Sequence, residues 1–168
     1  MGSLRLCIEG DPPMTSTIRI AAALLIGSDG QTLVVRKRGT QAFMQPGGKI
    51  DAGEQPAQAL ARELHEELGL RIDPAAAVYL GQFSAPAANE PGFVVQAELF
   101  QVHIDVAVTP AAEIEEVRWI DPAGDGGLQL APLTRDLILP FLSNGCLKLW
   151  RGSKLPRHRY PLFISVRR

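Results

Sequence analysis

Three glutamates, Glu63, Glu66 and Glu67, stand three and four residues apart beside Arg62 in the run Arg62-Glu63-Leu64-His65-Glu66-Glu67-Leu68-Gly69. On a helix that spacing brings carboxylates to one side, where like charges cost stability unless something compensates. A hard divalent cation compensates well, because Mg²⁺ takes oxygen ligands and retains several waters. Glu54 and Glu66 are both candidate partners for the Arg62 guanidinium. Upstream, Gly47 and Gly48 let the backbone turn tightly and approach an anion with no side chain in the way. Such a set suits chemistry at phosphorus. Phosphate oxygens would complete the cation's shell, the cation would polarise the phosphoryl group, and a remaining carboxylate would take a proton from attacking water.

The flanking residues predict the elements that must hold these groups. Gln55 to Leu68 reads as a helix, with Pro56 in the first turn, where a missing N–H costs little. Leu60, Leu64 and Leu68 form an apolar stripe, and Gly69 supplies a C-terminal stop. The carboxylates are expected opposite that stripe. Before the helix, Thr17 to Ile26 and Leu33 to Arg38 read as strands joined by a turn at Ser28-Asp29-Gly30. Ala22 and Ala23 would also suit a helix, but the turn and the short flanks favour strand. Val78 to Phe83, Phe93 to Ile104 and Val117 to Ile120 read as further strands. Leu4 to Glu9 reads as a short strand, and Leu133 to Leu142 as a second helix that Pro140 would end or kink. This order predicts an α/β (α+β) domain with a mixed sheet flanked by helices.

An acidic helix face alone is equally a solvated surface. The longer pattern decides between the two readings. From Gly48 to Leu70 the chain reads G, five residues, E, seven residues, then R-E-L-H-E-E-L-G-L. At average residue usage, such a match arises by chance on the order of once in 10⁸ to 10⁹ start positions. The segment resembles the Nudix box, with every fixed position filled, and Met44-Gln45-Pro46-Gly47-Gly48-Lys49 resembles the loop that leads into it. The resemblance implies a Nudix-like α/β/α sandwich and a hydrolase that cuts a phosphoanhydride bond of a nucleoside diphosphate linked to another group, using Mg²⁺ or Mn²⁺. It implies that Glu66 and Glu67 are metal ligands and Glu63 a third ligand or base. Glu54 would pair with Arg62 or contact the metal's outer shell, and Gly48 would leave room for a backbone contact. A (deoxy)nucleoside triphosphate is the favoured substrate. The alternatives are ADP-ribose or a nucleotide sugar, and a non-catalytic nucleotide-binding module, although such modules usually lose box glutamates. The partner is expected to be a small nucleoside diphosphate derivative rather than polymeric nucleic acid.

Other residues are open to two readings. Arg36 and Arg38 alternate along their strand, so a regular strand puts them on one face, either holding phosphates or solvated. Glu113, Glu115 and Glu116 lie where the resemblance places an acid that serves as base or extra ligand. Phe83 and Phe93 flank a loop carrying Asn89 and Glu90; they either stack on a base or pack in the core. Pro86 falls roughly where ADP-ribose-cleaving members tend to carry a proline.

Composition sets outer bounds. The chain has 168 residues, 46% of them hydrophobic, enough for one domain with a real core. With 17 basic and 18 acidic residues, its charge calls for neither nucleic acid nor a membrane surface. No apolar run reaches the ~20 residues of a membrane span. Cys7 and Cys146 form neither a metal spacing nor a disulfide framework, and Met1-Gly2-Ser3 opens no signal-peptide core, so a cytoplasmic setting is expected. The predicted division is a domain over 1–146 and a basic extension over 147–168. In that extension Tyr160 to Val166 is β-prone, predicting a strand added to a sheet edge in the same chain or in a homodimer partner.

Overall fold

The computed structural model describes residues 16–143. The expectations for Leu4 to Glu9 and for the basic extension lie outside them. The elements in chain order are β1 (Ser16–Ile26), β2 (Thr32–Lys37), β3 (Gly47–Lys49), α1 (Pro56–Leu68), β4 (Val78–Pro86), β5 (Phe93–His103) and β6 (Ile114–Ile120). A wide-turned helical segment, Leu133–Ile138, then runs into α2 (Leu139–Phe141).

Five strands lie in the order β4-β5-β1-β2-β6, and β3 pairs with β1 off that path. β1 and β5 run parallel over their whole length, while the other pairings are antiparallel, so the sheet is mixed. The apolar stretch of β1 fixes the layering. Successive side chains point to opposite faces of a strand. Ala22, Leu24 and Ile26 join the cluster with Ile138, Leu139 and Leu142, while Ala21, Ala23 and Leu25 join that with Leu60, Leu64 and Leu68. The sheet is therefore packed between α1 on one face and the C-terminal helical segment on the other.

β1 also divides its second edge between two partners. Ile20 to Ala22 pair with β3, and Leu25 and Ile26 pair with β2. Between them, the Ala23 N–H donates to the carbonyl of Pro46. The split edge lets the glycine segment enter the sheet beside α1. The helix starts at Pro56, and Gly69 closes it at φ 67°, with its N–H donating to the His65 carbonyl. Pro140 does not end the second helix. The turns ahead of it widen instead, and the Leu139 N–H reaches back to the Thr134 carbonyl. No helix among the described residues is long and apolar enough to cross a membrane.

Candidate active site

The α1 stripe of Ala59, Leu60, Leu64 and Leu68 is fully buried against the sheet, and this docking sets the height and rotation of the glutamates. The three carboxylates are not equivalent. Glu66 is solvated, with 54% of its side chain exposed, Glu63 keeps 13% and Glu67 only 2%. Glu67 thus lies at the sheet rather than on a solvated side opposite the leucines.

Glycine 47 and glycine 48 make that placement sterically feasible. Gly47 has φ 140°, and a Cβ there would overlap the Ala21 carbonyl. A Cβ on Gly48 would overlap the Glu63 carboxylate. The Gly47 N–H donates to Glu67 Oε2 at 2.9 Å. Lys37 Nζ lies 3.0 Å from Glu67 Oε1 and also contacts Glu113. The Lys37 ammonium is thus the charged group facing the buried Oε1.

Burial pushes the Glu67 carboxyl above the usual carboxylate range, against the opposing pull of Lys37 and the Gly47 N–H. Burial also works against the Lys37 charge, but Glu67 and Glu113 outweigh it and raise the ammonium above its ordinary value. The desolvation cost of the pair therefore falls on the carboxylate, while the lysine stays charged.

Arg62 organises the neighbouring groups. Its Nε and Nη2 donate to the two oxygens of Glu54 at 3.0 and 2.9 Å. Nη1 donates to Glu63 Oε1 at 2.7 Å, and Nη2 also reaches the Lys49 carbonyl at 3.1 Å. The Arg62 hydrogen bond, with the Asp51 N–H, holds Glu54 below its usual range. Glu66 lies farther from Arg62, at 3.8 Å.

The two strand arginines separate. The register shifts between Arg36 and Lys37, and β2 ends at Lys37. Arg36 is committed to Glu115, Glu116 and the Thr40 carbonyl, with its guanidinium over the Phe43 ring. Arg38 instead lines a cavity of about 510 Å³ together with Lys37, Lys49, Gly47, Gly48 and Glu63. Pro86, Asn89 and Glu90 line the same cavity, whereas Phe83 packs on Phe141. Sequence reasoning missed Lys37, and it missed Gln45 and Thr134, whose contact spans 89 positions.

Among the described residues, no three His, Cys, Asp or Glu side chains converge closely enough, as placed, to hold a cation. Glu63 is turned to Arg62 and Glu67 to Lys37. The donor set nevertheless fits a hard divalent ion. It consists of carboxylate oxygens on one rigid helix, beside side-chain-free backbone where a Cβ would meet the Glu63 carboxylate.

The NUDIX domain model matches residues 16–125, and the chain belongs to the Nudix family. It is 37% identical over 118 residues to an octanoyltransferase of Myxococcus xanthus, an alignment covering 68% of this chain and 32% of that protein. It is 46% identical over 57 residues to an 8-oxo-dGTP diphosphatase of Haemophilus influenzae, covering 32% of this chain and 42% of that one. The chain thus spans a third to two fifths of the length of these curated relatives. The MutT protein of Methanosarcina mazei Go1 shares the fold, with TM-score 0.64 at 19% identity, over 84% of this chain and all of that one.

Proposed function

We propose that the chain is a divalent-metal-dependent pyrophosphohydrolase that cuts a phosphoanhydride bond in a small nucleoside diphosphate derivative, with a (deoxy)nucleoside triphosphate as the favoured substrate. The observation that carries this reading is the meeting of Glu63 with the Gly47-Gly48 backbone on a cavity whose wall also holds Lys37, Arg38 and Lys49. A cavity of about 510 Å³ falls in the size range of small-molecule sites.

Glu63, Glu66 and Glu67 would hold Mg²⁺ or Mn²⁺, which supplies charge neutralisation and activation of water when bound. Lys37, Arg38 and Lys49 bring positive charge to phosphate oxygens along one wall. The Gly47-Gly48 backbone admits the phosphate chain closely. Arg62 fixes Glu63 in position, and Glu54 fixes Arg62. Glu63, partly exposed at the cavity, would accept the proton of attacking water where it does not itself ligate the ion. Most of the rate gain comes from positioning and electrostatics.

One observation favours a second reading, ADP-ribose or a nucleotide sugar as substrate: Pro86 lines the cavity with Asn89 and Glu90. The two are separated by a panel of nucleoside triphosphates, ADP-ribose, nucleotide sugars, dinucleotides and coenzyme A with Mg²⁺, read as phosphate released after a coupling phosphatase. Triphosphates turning over with the highest kcat/KM support the favoured reading, and ADP-ribose leading supports the second. No turnover on any of them, with nucleotide still bound, would leave a binding module.

A further inference from the structure

One buried carboxylate oxygen has two claimants. Glu67 is 2% exposed, and the Gly47 N–H donates to its Oε2. Oε1 is therefore the Glu67 oxygen left to face a cation, and Lys37 Nζ already lies 3.0 Å from it. Lys37 ends β2 and lines the cavity. Its ammonium also contacts Glu113, which is 58% exposed. It thus bridges one carboxylate sealed at the sheet and one open to solvent. A divalent ion and an ammonium repel each other strongly at one desolvated oxygen, because little water is there to screen them.

We propose that Lys37 is a built-in competitor for the divalent ion at Glu67: the ammonium holds Oε1 until the ion arrives, then gives it up and stays with Glu113. The inference rests on the metal site of the pyrophosphohydrolase reading. Both states keep the buried carboxylate paired, and an unpaired charge at the sheet would be strongly destabilising. Glu113 keeps the exchange short, since the ammonium retains one of its two partners. Because the exchange has a cost, the protein alone holds the ion more weakly than its carboxylates would. The exchange also leaves the Lys37 charge on the cavity wall, where a phosphate oxygen can take it up.

The test is Mn²⁺ binding to the full chain without nucleotide, by calorimetry and electron paramagnetic resonance. At about pH 8, well above the ordinary carboxylate range, proton release does not mask the exchange. An opposite charge within ~4–6 Å shifts a carboxylate's proton affinity by about one to three decades, and a metal ion competes for the same oxygen. Lys37→Met and Lys37→Gln should therefore bind Mn²⁺ about tenfold or more tightly than the wild type. Lys49→Met removes a charge from the same cavity wall but leaves the Glu67 contact, and should change affinity less. In EDTA both Lys37 variants should melt below the wild type, because Glu67 loses its counter-ion, and saturating Mn²⁺ should narrow the gap. A second measurement needs no variant. Acetylation of wild-type lysines, read peptide by peptide by mass spectrometry, should speed up at Lys37 on adding Mg²⁺ and change less at Lys49. Equal or weaker Mn²⁺ binding by folded Lys37 variants overturns the proposal, as does unchanged Lys37 acetylation when Mg²⁺ is bound. So does a Lys49→Met effect as large as that of Lys37→Met, which marks general charge rather than competition at one oxygen. Turnover with unchanged Mn²⁺ affinity in the Lys37 variants refutes only the exchange. Tighter binding by those variants, with no diphosphate cut by the wild type, upholds the exchange and refutes the pyrophosphohydrolase reading. Absence of Mn²⁺ binding in every form refutes both.

Discussion

Removing Arg62 should cost more than one ion pair, because four hydrogen bonds converge on that guanidinium: two to Glu54, one to Glu63 and one to the Lys49 carbonyl. The side chain is 31% exposed, so solvent screens part of each interaction. An exposed pair contributes roughly 0.2–1 kcal/mol. Two carboxylate partners, one of them bidentate, bring Arg62→Ala to about 2 kcal/mol of lost stability. At roughly 2–4 °C per kcal/mol for a chain of this size, the melting temperature should fall by about 4–8 °C. Activity should fall too, since Glu63 loses the group that orients it, and no lysine or arginine other than Arg62 is paired with it among the described residues. The assay is thermal and urea melting of Arg62→Ala, Glu54→Gln and the double variant. Glu54 and Arg62 should couple beyond the ~0.3–0.5 kcal/mol within which independent sites add. Additive single effects, or an unchanged melting temperature in Arg62→Ala, would refute the brace.

Leu64→Ala in the buried stripe should destabilise by about 2–5 kcal/mol through cavity formation, measured by urea unfolding. Gly48→Ala puts a methyl group where the Glu63 carboxylate lies, so turnover should drop while the core, probed by near-UV circular dichroism, is retained. Acid should weaken the fold through Glu116, whose hydrogen bond from Arg36 holds it below the usual carboxylate range. A carboxylate with a lowered folded pKa contributes stability above its unfolded pKa, ~4.3, and loses it as pH falls through the lower folded value. Melting of Glu116→Gln should therefore approach that of the wild type below about pH 4 and lie under it at neutral pH.

The helix and its chemistry were legible because both depend on local spacing. The leucines recur every four residues, Pro56 and Gly69 mark the ends, and the glutamates and Arg62 lie within two turns. The β1–β2 hairpin was legible for the same reason, through the Asp-Gly turn that the Gly30 N–H closes onto Gly27. The strand arginines were less so. Regular alternation would give Arg36 and Arg38 a shared face, but the register shift after Arg36 breaks the period, leaving Arg36 on Glu115 and Glu116 and turning Lys37 to Glu67. β6 begins at Ile114, earlier than its apolar run, because Arg36 and Arg118 neutralise Glu116 on the strand. The contact between Gln45 and Thr134 joins a loop to a distant helical segment, and no local pattern encodes it.

The most direct test of the account is phosphate release from nucleoside triphosphates at saturating Mg²⁺ by the wild type and by Glu66→Gln. Glu66 is solvated, so its neutral isostere should melt like the wild type. The account predicts metal-dependent turnover that falls by at least ~10²-fold in the variant, the scale of losing a key catalytic group. Wild-type turnover in Glu66→Gln, or hydrolysis undiminished in EDTA, would contradict it.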